Sequence, residues 1–525
     1  MKADLTRNSF DPFKHFTRVL MQQGRVQLDA DWNEQAAILL KYLQALAADL
    51  IGPHGGPVSD LGFRIVDGTL ASDVAIGPGH YYVDGILCEL ASASAAVPVG
   101  PPSPANPNQF QILGSSIKGF ANGKPVLLSA DEPGKSLTLK VTNVTSTGLV
   151  TVDPDPDLAV TDILKAPNPR AYTDFATYLN QPDYPNPPKL VNNSLLYLDV
   201  WERLITYVED DSIREVALDG ADTAARAKLV CQVKQLAGGK GDTDLRSQLQ
   251  PPNRGRLIAQ AKQAFVSTDP CVIAPDATYR GPENQLYRVE IHTGSGKDAN
   301  GVALIPTFKW SRDNGSVIFP IVNLTAGTGG TTVVLENLGR DDRFGLTEND
   351  WVEIVDDDYV LLNSPGKLLQ VQSIDSGNLT VVLAGTRSST AGQNPAKHPL
   401  LRRWDETAGD ESQGGLQLQA DNAALIIEGS NDANWLVLEN GIQIQFQPAP
   451  PQTGANQYRT GDYWLIPART AIGDVEWPSG DSGPLAMPPD GVDHHYAPLG
   501  VITVKDTDIE VTVSSQHSFL PMPSA

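Results

Sequence analysis

Trp32, Ala36, Leu39, Leu43, Leu46 and Leu50 recur at steps of 4, 3, 4, 3 and 4 residues along a segment running from about Asp31 to Ile51. That spacing is the a/d seam of a heptad repeat and predicts an α-helix with one apolar face. Asp31 and Glu34 have the spacing of a capping box, and Gly52-Pro53 is a stop signal. Leu40 and Ala47 widen the stripe, so the face suits either a partner or the body of its own subunit. A shorter helix is expected before it, from about Pro12 to Gln22, with a tight turn at Gly24 completing a helical hairpin.

From Phe63 the period shortens to that of strands, and the run Tyr81 to Leu87 is the first clear one. Proline-rich stretches at Pro98–Pro107 and Pro167–Pro188 flank a β module that includes a hairpin, Leu137–Val144 with Leu149–Val152. Beyond it the pattern predicts a strand over Leu195–Val208 and a helix over Ala221–Gln235. Two Asn-Gly pairs predict hairpins: Phe308–Arg312 with Val317–Ile321 around Asn314-Gly315, and Leu436–Glu439 with Ile442–Phe446 around Asn440-Gly441. Trp351–Val355, Tyr359–Leu362, Lys367–Ile374 and Leu379–Leu383 read as a small barrel at about 340–385. The expected fold is mainly β and multidomain, built of small barrels and sandwiches behind an N-terminal α-helical hairpin, α+β overall. The expected boundaries are a helical attachment segment at 1–62, first body strands at 63–92, and an inserted β module at 93–173. A central β-rich body at 174–400 and a C-terminal β domain at 401–525 follow.

Glycine (46) and proline (40) are abundant in the 525 residues, as many short strands and turns require. Lys+Arg 39 against Asp+Glu 62 leaves a net charge of −23. A field of that sign repels phosphate backbones and anionic lipid, so neither nucleic acid nor membrane insertion is expected. Residues 1–51 carry six basic and six acidic side chains, so the acidity lies wholly in the remainder. Charges near the N-terminus and the lack of a long apolar run predict synthesis and assembly in the cytoplasm. Cys88, Cys231 and Cys271 are far apart in sequence and read as reduced thiols.

Candidate chemistry is sparse. Gly480-Asp481-Ser482-Gly483-Pro484 resembles a serine-protease signature, but no histidine has the matching context, and a polar turn explains it. His494 and His495 are adjacent and on an extended segment point to opposite faces, so a hydrogen-bonded pair is expected in place of a metal site. Asp356-Asp357-Asp358 and the run Asp153 to Asp157 lack a calcium loop and read as solvated turns. Gly327–Thr332 and Gly238–Gly241 lack the complete phosphate-loop pattern and read as connections. Trp201, Trp310, Trp351 and Trp464 fall within strand patterns and read as core, whereas Trp435 or Trp477 offers an aromatic platform for a sugar. No catalytic residue, cofactor or metal is expected.

One resemblance covers nearly the full chain except roughly 93–173. The run Asn8 through Gln35, with Gln23-Gly24-Arg25 and Asn33-Glu34, resembles uncharacterised bacterial proteins encoded beside contractile injection systems, the phage-tail-like particles. So do Tyr197–Arg203, Glu283–Glu290, Phe308–Gly315, Tyr458–Trp464 and His494–Leu499. The layout is similar to that of phage baseplate and tail-fibre proteins, although a long fibrous repeat is missing. The resemblance implies a structural subunit, baseplate-associated or tail-fibre-like, reaching the outside or a membrane surface as part of a released particle. Its expected partners are other particle subunits and further copies of itself. The expected interface residues are Arg25, Asp29, Trp32, Ala36, Leu39, Leu43, Leu46 and Leu50. The alternative is a carbohydrate-binding or glycan-cleaving module carried on the particle.

Overall fold

A computed structural model describes residues 1–520 except 67–69, 71, 93–94, 115–116, 133, 154–158, 242–243, 251, 262–277, 299, 328–329, 342, 388–389, 412–413, 482 and 506–507. The protein is mainly β, with several small sheets, two closed barrels and one long helix near the N-terminus. The chain divides into two compact units. The first is Met1–Ile38, Glu202–Lys228 and Gln250–Asp493; the second is Leu39–Trp201, Leu229–Leu249 and His494–Ala525.

In the first unit, the strands Ala424–Leu425, Thr307–Ser311, Gln285–Thr293, Tyr463–Arg469 and Asp474–Val475 form an antiparallel sheet in that order. Its apolar face, with Tyr287, Val289, Ile291, Trp310 and Trp464, shares a core with a three-stranded sheet bearing Leu257, Ile444 and Phe446. Between Ser311 and Ala424 the chain makes a closed six-stranded barrel, Ile318–Gly327 to Leu400–Trp404, filled by Phe319, Val333, Val352, Val371, Val381 and Leu401.

The second unit holds a four-stranded sheet of Ser518–Phe519, His54–Pro57, Gly79–Val83 and Ile86–Leu90. Its core side chains Tyr81, Val83 and Cys88 cluster with Leu196, Leu198, Val200, Ala497 and Leu499 from the paired strands Ser194–Ile205 and His495–Lys505. A second closed barrel of six strands spans Val97 to Tyr172, with Phe110, Val126, Leu139 and Val150 inside. The hairpin expected within it is present: Ser136–Val144 pairs with Leu149–Val152.

Several local expectations change. Of the predicted helical pair only the second member is an α-helix, α1 (Asp29–Ile51); Pro12–Lys14 is a single 3-10 turn capped by Asp11. Phe13, Phe16, Leu20 and Met21 are exposed, so no core rewards an amphipathic helix there. The capping box is absent, because α1 starts before Asp31, and Glu34 instead accepts from Ser9 Oγ at 2.6 Å. Gly52 does end the helix, its φ of 94° placing it in the left-handed region. Ala221–Gln235 is not helical: Ala221–Asp222 and Arg226–Ala237 are strands, the latter in the sheet of Ser194–Ile205. Sheet pairing overrides the helix propensity of its Ala, Lys and Gln residues.

Tyr359–Leu362 belongs to a short helix, Asp357–Leu362, because Asp356 caps it by accepting from Tyr359 N at 3.0 Å. Asn314-Gly315 turns the chain through positive φ, but its flanks join the five-stranded sheet on one side and the barrel on the other. Asn440-Gly441 does close the expected hairpin, pairing Leu436 with Ile444. The run Tyr81–Leu87 is two strands around an Asp84-Gly85 turn.

Candidate functional site: an exposed apolar helix face

Among the described residues, twenty-nine large apolar side chains are exposed, and fourteen of them lie within the first 50 positions. On α1, Trp32 is 63% exposed and Leu39, Leu40, Leu43, Leu46 and Leu50 are 52–68% exposed. Ala36 is exposed as well. The helix is anchored by its opposite side, where Ala30 and Ile38 are buried. Near its end the Asp84-Gly85 turn sits so close that a Cβ on Gly85 would collide with the backbone oxygen of Gln44.

Polar groups of the first turns hold the extended segment that precedes the helix. Asp29 accepts from Thr6 N (2.9 Å) and Thr6 Oγ1 (2.6 Å), and Gln35 Oε1 accepts from Val19 N at 2.8 Å. Arg25 is exposed in the turn before α1. Thus Trp32, Ala36 and the four seam leucines lie on one outward face, whereas Asp29 is engaged within the chain.

Where charge concentrates, it is sealed. Glu290 and Lys309 are a cross-strand pair in the five-stranded sheet, 3.6 Å apart, with Arg288 bound to Glu290 at 2.6 Å and Lys2 at 3.0 Å. Lys309 Nζ also donates to both oxygens of Glu353, at 2.9 and 2.7 Å, and Trp404 Nε1 donates to Glu353 at 3.0 Å. Burial alone raises a carboxyl pKa, but Lys2, Arg288 and Lys309 together hold Glu290 well below its usual range. Burial and the charge of Lys309 push His292 down to about 4. Burial drives Glu406 well above the carboxylate range, although it accepts from Trp310 N at 3.3 Å and feels the charge of Lys309. Nearby, Asp462 is fully buried and takes Arg254 Nε at 2.8 Å and Arg459 Nη2 at 2.9 Å.

The second unit has a smaller cluster. Asp199, buried on its strand, accepts from His494 Nδ1 and from Lys234 Nζ, both at 2.7 Å, while Trp201 stacks on His494 with ring centroids 5.7 Å apart. Burial would raise Asp199, yet His494 and Lys234 bring it below its ordinary value. His495 turns instead to Asp84, 2.7 Å away.

A family of unknown function, DUF6519, matches residues 1–153, 186–256 and 252–514. The chain belongs to this family. No curated protein matches it. The DUF6519 match takes in all of α1, the Glu290–Lys309–Glu353 network and the Asp199–His494 pair.

The other candidate residues of this DUF6519 chain have structural roles. Asp357 pairs with Arg203 (2.9 Å) and His398 (2.7 Å), and Asp358 pairs with Lys397, so the Asp356–Asp358 run is a capped, ion-paired helix start and no solvated turn. Ser479–Gly480 and Gly483–Pro484 form a two-stranded hairpin, with Ser482 outside the described residues. Trp477 is half-buried and donates to Leu485 O at 2.9 Å, and Trp435 is half-buried, so neither is an open platform. Trp201, Trp310 and Trp464 are core residues; Trp351 is half-buried. Cys88 and Cys231 are free thiols, Cys88 donating to Ile86 O at 3.7 Å, whereas Cys271 and Asp155 lie outside the described residues.

A cleft of about 390 Å³ carries Arg7, Arg340, Arg343 and Arg469 in its wall. Each is ion-paired: Arg7 and Arg469 with Glu476, Arg343 with Asp313 and Arg340 with Asp341. Sequence reasoning missed the two buried networks. Their signal is a charged residue within a largely apolar strand, as Asp199 is in Leu195–Trp201 and Arg288 and Glu290 are in Leu286–Ile291.

Proposed function

We propose that this chain is a structural subunit of a contractile injection particle, baseplate-associated or tail-fibre-like, that docks through the apolar face of α1. The observation that carries this reading is the concentration of exposed apolar side chains in the first tenth of the chain. A large apolar patch left open to water marks a surface that another molecule covers. Covering the five leucines, each already half-exposed, recovers about 1 kcal/mol apiece, or ~5 kcal/mol in all. That is comparable with the lower end of the association cost of ~4–15 kcal/mol, so Trp32 and repeated copies in a particle complete the attachment. The charged clusters support the same reading, because their groups are consumed by one another. The extracellular destination and the particle itself rest on the resemblance of the motifs described above.

Removing residues 1–51 is a poor test, since Lys2 is bonded into the first unit through Glu290. The better one introduces Leu46→Glu and Leu50→Glu into the full chain and measures its amount in purified particles. Loss of the subunit with an unchanged fold is expected. Incorporation at the wild-type level overturns the proposal.

A further inference from the structure

We infer that the occupant of the α1 face is a second copy of this chain, with the two helices antiparallel about a two-fold axis. This deepens the reading of α1 as a docking face and depends on it. Three observations select the occupant. First, the exposed side chains follow the 3.5-residue period, which is what a partner helix requires and a flat surface does not. Second, the flanking e and g positions between Trp32 and Leu50 are Asn33, Gln35, Leu40, Tyr42, Ala47 and Asp49, with Asp49 the single charge among them. Two chains of net charge −23 can therefore meet here without setting like charges against each other.

Third, side-chain sizes fix the direction. Antiparallel pairing about the helix centre sets Trp32 against Leu50, Ala36 against Leu46 and Leu39 against Leu43, so the small residue always faces a large one. The same register brings the Gln35 amide beside the partner's Asp49 and sets Tyr42 next to its own symmetry mate. A parallel pair would stack Trp32 on Trp32 directly beside an Ala36–Ala36 hole. Isologous contact, in which i meets j and j meets i, is the ordinary form of a two-fold interface.

Sedimentation and light scattering of the full chain test this, with Leu43→Glu as the surface variant. A concentration-dependent dimer is expected, weakened about 30-fold or more by Leu43→Glu, as for a central interface residue. Under mild oxidation Tyr42→Cys should cross-link to itself and Trp32→Cys should not, each compared with the parent chain. A chain that stays monomeric, or a dimer indifferent to Leu43→Glu, overturns the inference; so does cross-linking through Trp32→Cys alone. A monomer whose Leu46→Glu variant still drops out of particles removes self-pairing and keeps the docking role, which separates the two failures.

Discussion

Replacing Glu353 with leucine is the sharpest test of whether the buried charges are scaffolding. Glu353 and Lys309 are each 1% exposed, and Glu353 accepts two contacts from Lys309, one from Trp404 at 3.0 Å and one from the Tyr359 hydroxyl. Removing one member of a buried ion pair costs about 3–5 kcal/mol, because the other charge is left in the interior. Each stranded neutral donor adds about 1–3 kcal/mol. Glu353→Leu should therefore cost roughly 5 kcal/mol or more, and Lys309→Met about 3–5 kcal/mol. The double variant removes both charges together and should recover ~3 kcal/mol or more relative to the sum of the singles. Urea unfolding followed by tryptophan emission reads this directly, since seven of the eight tryptophans belong to the first unit and only Trp201 to the second. Additive losses in the double variant would refute the argument, because they would mean that Lys309 and Glu353 do not stabilise each other.

Other consequences concern single groups. His292, held at about 4 in the fold, stays neutral while the unfolded chain takes up a proton below about 6.5. Stability is thus lost as pH falls from about 6.5 toward 4, by up to ~3 kcal/mol, and His292→Gln should flatten that part of a urea-midpoint profile. Glu406 has the opposite sign: its raised pKa means that the fold keeps a proton which the unfolded chain releases above about 4.5. Glu406→Gln should therefore gain on the wild type as pH rises from 5 to 8, and a gap that does not grow argues for an ionised carboxylate. Gly85→Ala adds left-handed strain of ~1–2 kcal/mol to a collision with α1. Limited proteolysis should then cut faster within residues 29–51, and an unchanged rate would mean that the turn does not hold the helix.

The long helix and much of the strand content were legible because each depends on a short-range period. The seam of α1 is a pattern in one segment, and Asn440-Gly441 carries its own turn preference. What failed depended on distant partners. Ala221–Gln235 reads as helix by composition, but Arg226–Ala237 is a strand because Ser194–Ile205 offers it an edge. Asn314-Gly315 has the correct turn chemistry, but whether its flanks pair with each other is decided by Ala424 and Arg402, far along the chain. Tyr81–Leu87 reads as one strand because the apolar run on either side hides the Asp84-Gly85 turn that splits it in two. Sequence spacing shows that Lys309 and Glu353 are inside strands, yet not that they face each other.

In both barrels the strand that enters pairs with the strand that leaves, Val97–Ser103 with Arg170–Tyr172 and Ile318–Gly327 with Leu400–Trp404. In the first barrel along the chain, Val97 and Pro98 pair with Ala171 and Arg170. Entry and exit are thus about one strand spacing apart, ~5 Å. A few-residue linker could span that gap, so this position works as a socket. Replacing the barrel between Val97 and Ala171 with such a linker should leave the strands on either side in register.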